Sequence, residues 1–491
     1  MRAVNVLLVT LDQLRADAIG AAGNPVVATP TLDALCASGV RFARHYSQAA
    51  PCSPGRAALY TGTYQMNNRV VANGTPLAAR FDNVARVARR RGYDPTLFGY
   101  TDTGFDPLVA DGPEDARLDE WDGVLPGFSV GLRLTEDQSP WLEWLTSLGY
   151  DVPAHWVDAL RGEPDRPAAH SHSTFLTDRF LEWLERQPAG WFAHLSYLRP
   201  HSPYAAAGEY ALAYDPAEVS MPIPPAEVRH PLHDAALGNP LAAAPIDEPS
   251  LRMMRAQYLG MVTEVDAQLG RVIDAIRARG EWDETAVVVA ADHGDQLGDH
   301  GLVEKLGYFE ESYHVPLVVC DPRHPGAHGR AVEAFTENVD VLPTLCDLMG
   351  APIPPQVDGV PLTPFLTGAE PAAWRAAAHW EWDWRYLLIR WGARDGWPVE
   401  RRLERQNLAV VRTATHAYVQ FGDGSWRCFD LSADPTWRTE ATDPTVVLPL
   451  AQALAGWRQE HLDRTYTSML LSKDRLGRWP TRDAMTELLT R

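Results

Sequence analysis

Two continuous apolar runs, one near each end of the first 300 residues, constrain the fold more than any other feature of this chain. The first run, 4–11, stops at Asp12, and the second, 285–291, stops at Asp292. Both lack the polar alternation of a half-exposed strand, so each is typical of a strand buried on both faces. The first run is also too short to span a membrane. Such strands occur in parallel sheets that helices cover on both sides. The runs therefore predict an α/β fold.

Polar residues come directly after each run: Asp12-Gln13 after the first and Asp292-His293-Gly294-Asp295 after the second. In open α/β sheets, ligands bind beyond the carboxyl ends of the strands. Two carboxylates, an amide oxygen and an imidazole at that edge predict a divalent-cation site. Taken singly, Asp12 could cap a following helix, and the second segment could be a plain strand-to-turn transition.

Residues 52–56 read Cys-Ser-Pro-Gly-Arg and fit the C-x-P-x-R signature by which a cysteine is oxidised to formylglycine. A helical pattern continues after Pro54, and proline is favoured in a first helical turn, so Cys52 is predicted at a helix amino end. Backbone N–H groups there favour an anion. Arg56 returns to the same helix face four residues later, where its guanidinium could hold an oxygen at position 52.

Strand and helix patterns alternate to about residue 370, as in a doubly wound sheet. Apolar spacing predicts helices at 80–91, 173–186 and 251–279, whereas short strands are predicted at 408–413, 417–421 and 425–431. We therefore predict a catalytic α/β domain over 1–370 and a smaller α+β subdomain with an antiparallel sheet over 371–491.

Charge and composition limit the partners of the chain. It has 491 residues, 45% of them hydrophobic, with a formal net charge of -20, which argues against binding nucleic-acid polymers because their phosphates need a basic footprint. Asp12 interrupts the first apolar run, so the amino terminus does not read as an export signal. Five scattered cysteines suggest no disulfide framework. We expect a cytoplasmic protein without a membrane partner.

Several motifs together resemble the sulfatase branch of the alkaline phosphatase superfamily, and most of all the bacterial phosphonate monoester hydrolases, which also cleave phosphodiesters. The motifs are NVLLVTLDQLRAD, PCSPGRAALYTG, GYDPTLFGY, YLRPHSPY, ADHGDQLGDHGLVEKLGY and HLDRTYT. Their order and spacing run over nearly the whole chain. The resemblance implies a mostly parallel sheet sandwiched by helices, with the small antiparallel subdomain at the carboxyl end.

The resemblance also implies a set of metal ligands: Asp12, Gln13, Asp292, His293 and an oxygen of modified Cys52. Ordinary sulfatases resemble one another in having a second Asp and an Asn where Gln13 and His293 stand here. This less anionic, nitrogen-containing set favours Mn, with Fe, Zn and Ca as alternatives.

Four further site residues are implied by the same resemblance: Asn73, Tyr100, His201 and Lys305. His201 is expected to protonate the leaving group or to contact a substrate oxygen, and Lys305 is expected to contact a non-bridging oxygen. By spacing, Asp102 stands where the phosphonate hydrolases carry a threonine. A carboxylate there would repel an anionic substrate unless it is protonated, turned away or paired with a cationic group.

These observations predict metal-dependent hydrolysis of small anionic esters, namely phosphonate monoesters and phosphodiesters, through a formylglycine nucleophile made from Cys52 by a formylglycine-generating enzyme. Activity toward sulfate esters is expected as well. The alternative enzyme is an arylsulfatase, and the alternative from another class is an inactive protein that binds an anionic ligand. The stretch after His461 cannot fold alone and is expected to reach a neighbouring subunit, as in the tetramers that the resembling hydrolases form.

Overall fold

A computed structural model describes residues 4–134, 137–384 and 405–462, and also two short strands at 469–471 and 476–478. Eight strands build the main sheet: β1 (Asn5–Leu11), β2 (Val40–Tyr46), β3 (Pro95–Gly99), β4 (Ser129–Arg133), β5 (Phe192–Tyr197), β6 (Thr285–Ala290), β7 (Leu317–Cys320) and β8 (Arg330–Glu337). Their order is β4-β3-β5-β1-β6-β7-β2-β8. Only β7 runs antiparallel to its neighbours in this sheet, so the predicted mostly parallel sheet is confirmed.

The two apolar runs form the centre of this sheet. Every residue of β1 and β6 is buried, and the two strands pair in parallel with Thr10 opposite Ala290. Because successive side chains point to opposite faces, Leu7 and Val9 join one hydrophobic core while Val6 and Leu8 join the other. Burial on both faces explains why neither run alternates with polar residues.

Helices cover both faces of the sheet. They are α1 (Pro30–Ala37), α2 (Cys52–Thr61), α3 (Gln65–Asn68), α4 (Val84–Arg90), α5 (Ser139–Ser147), α6 (Trp156–Arg161), α7 (His172–Leu184), α8 (Pro231–Leu237), α9 (Glu248–Ala278), α10 (Val341–Met349), α11 (Thr363–Leu366) and α12 (Pro444–Glu460). Short 3-10 turns lie at Gly20–Ala22, Pro107–Val109, Ala116–Asp119, Glu163–Asp165, Ala168–His170, Gly208–Leu212, Trp282–Glu284, Asp299–Gly301, Glu310–Ser312, Pro325–Ala327 and Asn338–Asp340. The three helices predicted from apolar spacing correspond to α4, α7 and α9. Helix α4 begins later than predicted because the Asn83 side chain caps it, accepting from the N–H groups of Ala85 and Arg86.

A second, antiparallel sheet follows the first. Its strands are β9 (Ala377–Asp383), β10 (Asn407–Thr413), β11 (His416–Phe421) and β12 (Trp426–Asp430), in the order β12-β11-β10-β9. Helix α12 packs on β10 and β11. The predicted antiparallel sheet is thereby confirmed, while the domain boundary at residue 370 stays a prediction.

The last strands, β13 (Met469–Leu471) and β14 (Leu476–Arg478), pair with each other. The rest of the predicted oligomerising tail lies outside the described residues. Among the helices that the structure describes, none is both long enough and apolar enough to cross a membrane.

Candidate active site

Four buried side chains converge at the carboxyl ends of β1 and β6. Ligand-type atoms of Asp12, Cys52, Asp292 and His293 all lie within 4.8 Å of one another. His293 Nε2 is 3.2 Å from Cys52 Sγ and 3.6 Å from Asp12 Oδ1. The structure therefore brings together four of the five predicted metal ligands in one cluster.

Strand pairing and one close helix approach create this cluster. Parallel pairing of β1 with β6 ends both strands at the same edge, so Asp12 and Asp292 become neighbours. Cys52 is the first residue of α2, which is buried along its whole length. A Cβ at Gly55 would lie 2.5 Å from the carbonyl oxygen of Asp292. Glycine at position 55 thus lets α2 bring Cys52 against the end of β6, a role that the sequence analysis did not assign.

His293 presents one defined nitrogen to the cluster. Its Nδ1 lies 3.0 Å from the carbonyl oxygen of Gly294, which can only accept, so Nδ1 carries the proton. Nε2 then has its lone pair directed toward Cys52 and Asp12. Burial and the charge of Lys305 lower the pKa of His293 to about 3, which keeps the ring neutral. A neutral, oriented imidazole is the form that binds a metal ion.

Gln13, the fifth predicted ligand, lies beside the cluster in the left-handed region, with φ of 70°. Its Nε2 donates to Asp295 Oδ2 at 2.5 Å, and its Oε1 accepts from Lys305 Nζ at 2.9 Å. A carboxylate can only accept, so Asp295 determines which end of the amide is oxygen. Carboxylate oxygens, an amide oxygen and an imidazole nitrogen form a donor set that fits a divalent cation such as Mn, Fe, Zn or Ca.

Asp295 was quoted in the sequence motif but given no role there. It is fully buried and receives the Tyr204 hydroxyl, at 2.9 Å, and the Leu297 N–H, at 2.8 Å, in addition to the Gln13 amide. Burial and the nearby charge of Glu304 raise the pKa of Asp295 to about 6. Its position three residues after Asp292 was the sequence signal that could have identified it.

Arg56 contacts the carboxylates. Its Nε donates to Asp292 Oδ2 and its Nη2 to Asp12 Oδ2, both at 3.0 Å, and its Nη1 donates to Ser196 Oγ at 2.8 Å. The side chain is completely buried. The sequence predicts that the guanidinium holds an oxygen at position 52, whereas in the structure it bonds to two carboxylates of the cluster and holds them in place.

Tyr100 and Asn73 hold the cluster from two directions. The Tyr100 hydroxyl donates a short hydrogen bond to Asp12 Oδ2, and its ring lies 4.2 Å from the guanidinium carbon of Arg56. The Asn73 side chain accepts at 3.0 Å from the Ser53 N–H. This N–H is one of those in the first turn of α2 that have no carbonyl partner within the helix. Both predicted residues therefore lie at the site, and in the structure both contact protein groups.

Lys305 and His201 form a pair on the side of Gln13. Lys305 Nζ donates to His201 Nε2 at 2.6 Å, and His201 Nδ1 donates to the carbonyl oxygen of Ser202 at 2.7 Å. Glu304 completes the pair with an ion pair of 3.3 Å to Lys305. Burial and the charge of Lys305 lower the pKa of His201, so its proton stays on Nδ1. Glu304 is a further residue that the sequence analysis missed.

The two carboxylates of the cluster differ in their electrostatics. Burial alone would raise the pKa of Asp12, but the positive charges of Arg56 and Lys305 hold it well below its usual range. Burial and the charge of Asp12 raise the pKa of Asp292 to about 6. Two buried carboxylates this close repel each other, and a cation between them would relieve that repulsion.

Asp102 lies three residues beyond the end of β3, on the loop that also carries Tyr100. It is buried and adopts a left-handed conformation with φ of 49°. Burial raises its pKa to about 7, against the opposing effects of Arg56 and the Ser53 side chain. Its charge contributes to raising the pKa of Cys52, less than burial, Asp12 and Asp292 do.

Comparisons with known proteins agree with this geometry. The family model described as Sulfatase matches residues 4–351, and the model described as N-sulphoglucosamine sulphohydrolase, C-terminal, matches residues 298–455. The chain is 36% identical over 501 residues to the multifunctional alkaline phosphatase superfamily protein PehA of Trinickia caryophylli, covering 94% of this chain and 96% of the relative.

Two solved structures are similar over almost their full length. The phosphonate monoester hydrolase of Agrobacterium radiobacter is 39% identical with a TM-score of 0.87, covering 97% of this chain and 100% of that chain. The phosphonate monoester hydrolase from Silicibacter pomeroyi is 33% identical with a TM-score of 0.84, covering 97% of this chain and 99% of that chain. The predicted fold class is thereby confirmed.

Proposed function

The chain belongs to the sulfatase family and is an ester-bond hydrolase, and we propose that its substrates are phosphonate monoesters and phosphodiesters. The observation that carries this proposal is the ligand set, because Gln13 and His293 lie with Asp12 and Asp292 at the strand ends that face Cys52. The likeness to two phosphonate monoester hydrolases supports the same substrates.

A divalent metal and a formylglycine complete this proposal. Asp12, Gln13, Asp292, His293 and position 52 would hold the metal, with Mn favoured and Ca, Fe or Zn as alternatives. When present, the two groups supply a Lewis acid and the oxygen nucleophile that attacks phosphorus. The unmodified thiol is a poor substitute, because burial and Asp12 raise the pKa of Cys52 well above its usual range.

Lys305 and His201 supply hydrogen bonds and a proton on one side of the nucleophile. The ammonium of Lys305 can donate to a non-bridging substrate oxygen, and burial does not discharge it because the carboxylates of Glu304 and Asp12 raise its pKa above the usual range. His201 Nε2 accepts from Lys305 Nζ, so the proton for a leaving alkoxide is held between these two atoms. We assign leaving-group protonation to this pair and not to His201 alone.

Arylsulfatase activity is the second candidate, and the match to the Sulfatase family model favours it. A sulfate monoester resembles a phosphodiester in its single negative charge and its tetrahedral centre. The same residues would therefore bind it, and we propose that sulfate esters are slower secondary substrates.

The test begins with the protein co-expressed with a formylglycine-generating enzyme. Mass spectrometry of the peptide containing Cys52 should show the loss of about 18 Da that converts a thiol to an aldehyde. The Mn-loaded protein is then assayed on para-nitrophenyl esters of phenylphosphonate, phenyl phosphate and sulfate. The highest kcat/KM is expected for the phosphonate or the diester. A sulfate preference would assign an arylsulfatase, and binding without turnover of any ester by the modified protein would assign a binding protein.

Maturation and assembly extend the proposal. We propose that a formylglycine-generating enzyme modifies Cys52, and that the mature enzyme is a cytoplasmic homotetramer. The tetramer is what the family resemblance read from the sequence implies. Light scattering during gel filtration should give four times the monomer mass, and a monomer would contradict this assembly.

A further inference from the structure

Asp102 is a buried carboxyl without an ion-pair partner among the described residues. Arg56 Nη1 donates to the Tyr100 carbonyl oxygen at 3.2 Å, so the loop that carries Asp102 lies against the site, and Asp102 itself is only 6% exposed. Its polar neighbour at the start of α2 is the side chain of Ser53. A buried, unpaired carboxyl is costly, and such groups concentrate at functional sites.

The loop that carries Asp102 is held on both sides of it. Thr101 Oγ1 accepts from the Leu125 N–H at 2.8 Å and donates to the carbonyl oxygen of Gly123 at 3.2 Å. The Thr103 N–H donates to the same Gly123 oxygen at 3.1 Å. The carboxyl therefore cannot leave the site by a simple movement of the loop, and a bound substrate has to coexist with it.

The cationic side chains of the site are already paired with other carboxylates. Arg56 bonds to Asp12 and Asp292, and Lys305 forms an ion pair with Glu304. The charge of a substrate with one negative charge would be balanced by the bound metal and by a hydrogen bond from Lys305. A second negative charge would face Asp102 without a further described cation to balance it.

We propose that Asp102 determines specificity by charge: it restricts turnover to esters with a single negative charge and disfavours dianionic phosphate monoesters. This inference rests on the proposed phosphonate and phosphodiester hydrolysis. Phosphonate monoesters, phosphodiesters and sulfate esters are all monoanions, whereas a phosphate monoester is a dianion above its second pKa of roughly 6.

The experiment compares para-nitrophenyl phosphate, a dianion, with para-nitrophenyl phenyl phosphate, a monoanion, at about pH 8.5, above that second pKa. Both release the same leaving group, so their ratio of kcat/KM reports mainly on substrate charge. In Asp102→Asn the ratio should shift toward the dianion on the order of ten-fold or more, because one charge close to the substrate is removed. Asparagine tolerates the left-handed backbone at this position. Asp102→Gly should shift the ratio in the same direction, which excludes an effect of the new amide.

The matched control is Asp106→Asn on the same loop, where the carboxylate accepts from the N–H groups of Ala79 and Leu108. This variant should keep the wild-type ratio. Equal changes toward both esters in Asp102→Asn would overturn the inference while leaving the proposed function intact. The inference would also be overturned if Asp102→Asn lost activity only toward diesters that carry an ammonium group, because Asp102 would then pair with a cationic substrate group. If the wild-type enzyme hydrolyses neither the diester nor the phosphonate, the proposed function itself is wrong.

Discussion

On the paired side of the site, Arg56 bonds to both Asp12 and Asp292, so each of these carboxylates has a cationic partner, whereas on the unpaired side Asp102 has no described ion-pair partner. Both sides are buried, but only on the first does a described cation of the protein contact the carboxylates. The difference indicates separate tasks. Paired charges hold the ligands in one geometry, and the unpaired carboxyl responds to whatever charge enters with the substrate.

The largest effect is expected at Cys52. Cys52→Ala should reduce ester hydrolysis to the background rate, because neither side contains another nucleophile placed at the cluster by the described residues. Cys52→Ser should allow at most a single slow turnover, since a serine ester cannot collapse back to an aldehyde. Native-rate multiple turnover by the alanine variant would rule out covalent catalysis. Circular dichroism of both variants checks that they fold.

Removing the paired cation tests the paired side. Arg56→Gln leaves Asp12 and Asp292 buried without the cation that both of them bond to, and the metal-free protein should lose about 3–5 kcal/mol of unfolding free energy. Urea titration measures the loss. Arg56→Lys keeps the charge but not the forked geometry, so its unfolding free energy should lie between those of Arg56→Gln and the wild type. Equal stability of Arg56→Gln and the wild type would contradict the pairing described for this side.

The pH dependence of stability tests the unpaired side. Burial raises the pKa of Asp102 from 3.8 to about 7, so folding favours its protonated form. The stability from this group is complete below pH 3.8 and is lost as the pH rises through about 7. The asparagine of Asp102→Asn does not titrate. The unfolding free energy of this variant relative to the wild type should therefore rise by about 2–4 kcal/mol between acidic and alkaline pH. Urea titrations of both proteins across that range measure the gain, and a constant difference would show that Asp102 is paired after all.

A smaller effect is expected at Asp295, which orients the proposed metal ligand Gln13. Asp295→Asn removes the acceptor that orients the Gln13 amide, so metal affinity should fall about 10- to 100-fold. Calorimetric titration of the metal-free protein with Mn measures this affinity independently of turnover. Tyr204→Phe removes only a donor to Asp295 and serves as the milder comparison. Unchanged affinity in Asp295→Asn would show that Gln13 needs no orienting partner.

The sequence predicted more of the paired side than of the unpaired side. Asp12 and Asp292 were found because each directly follows a buried apolar strand, and such strands lie side by side in a parallel sheet. The second ligand at each strand end, Gln13 or His293, followed from the same reasoning. Asp295, Glu304 and Gly55 were not assigned, since their roles depend on loop paths and on a close approach between α2 and β6.

By itself, the sequence determined the α/β class, the two strand ends that carry the ligands, and the placement of Cys52 at a helix start, because hydrophobic periodicity and local motifs act over a few residues. Only the tertiary structure decided what each buried charge contacts. Arg56 was placed correctly on the face of Cys52, yet its guanidinium bonds to Asp12 and Asp292. The reason is that a buried charge is stabilised by whichever opposite charge the fold brings within reach, and those partners lie 44 and 236 residues away in the chain.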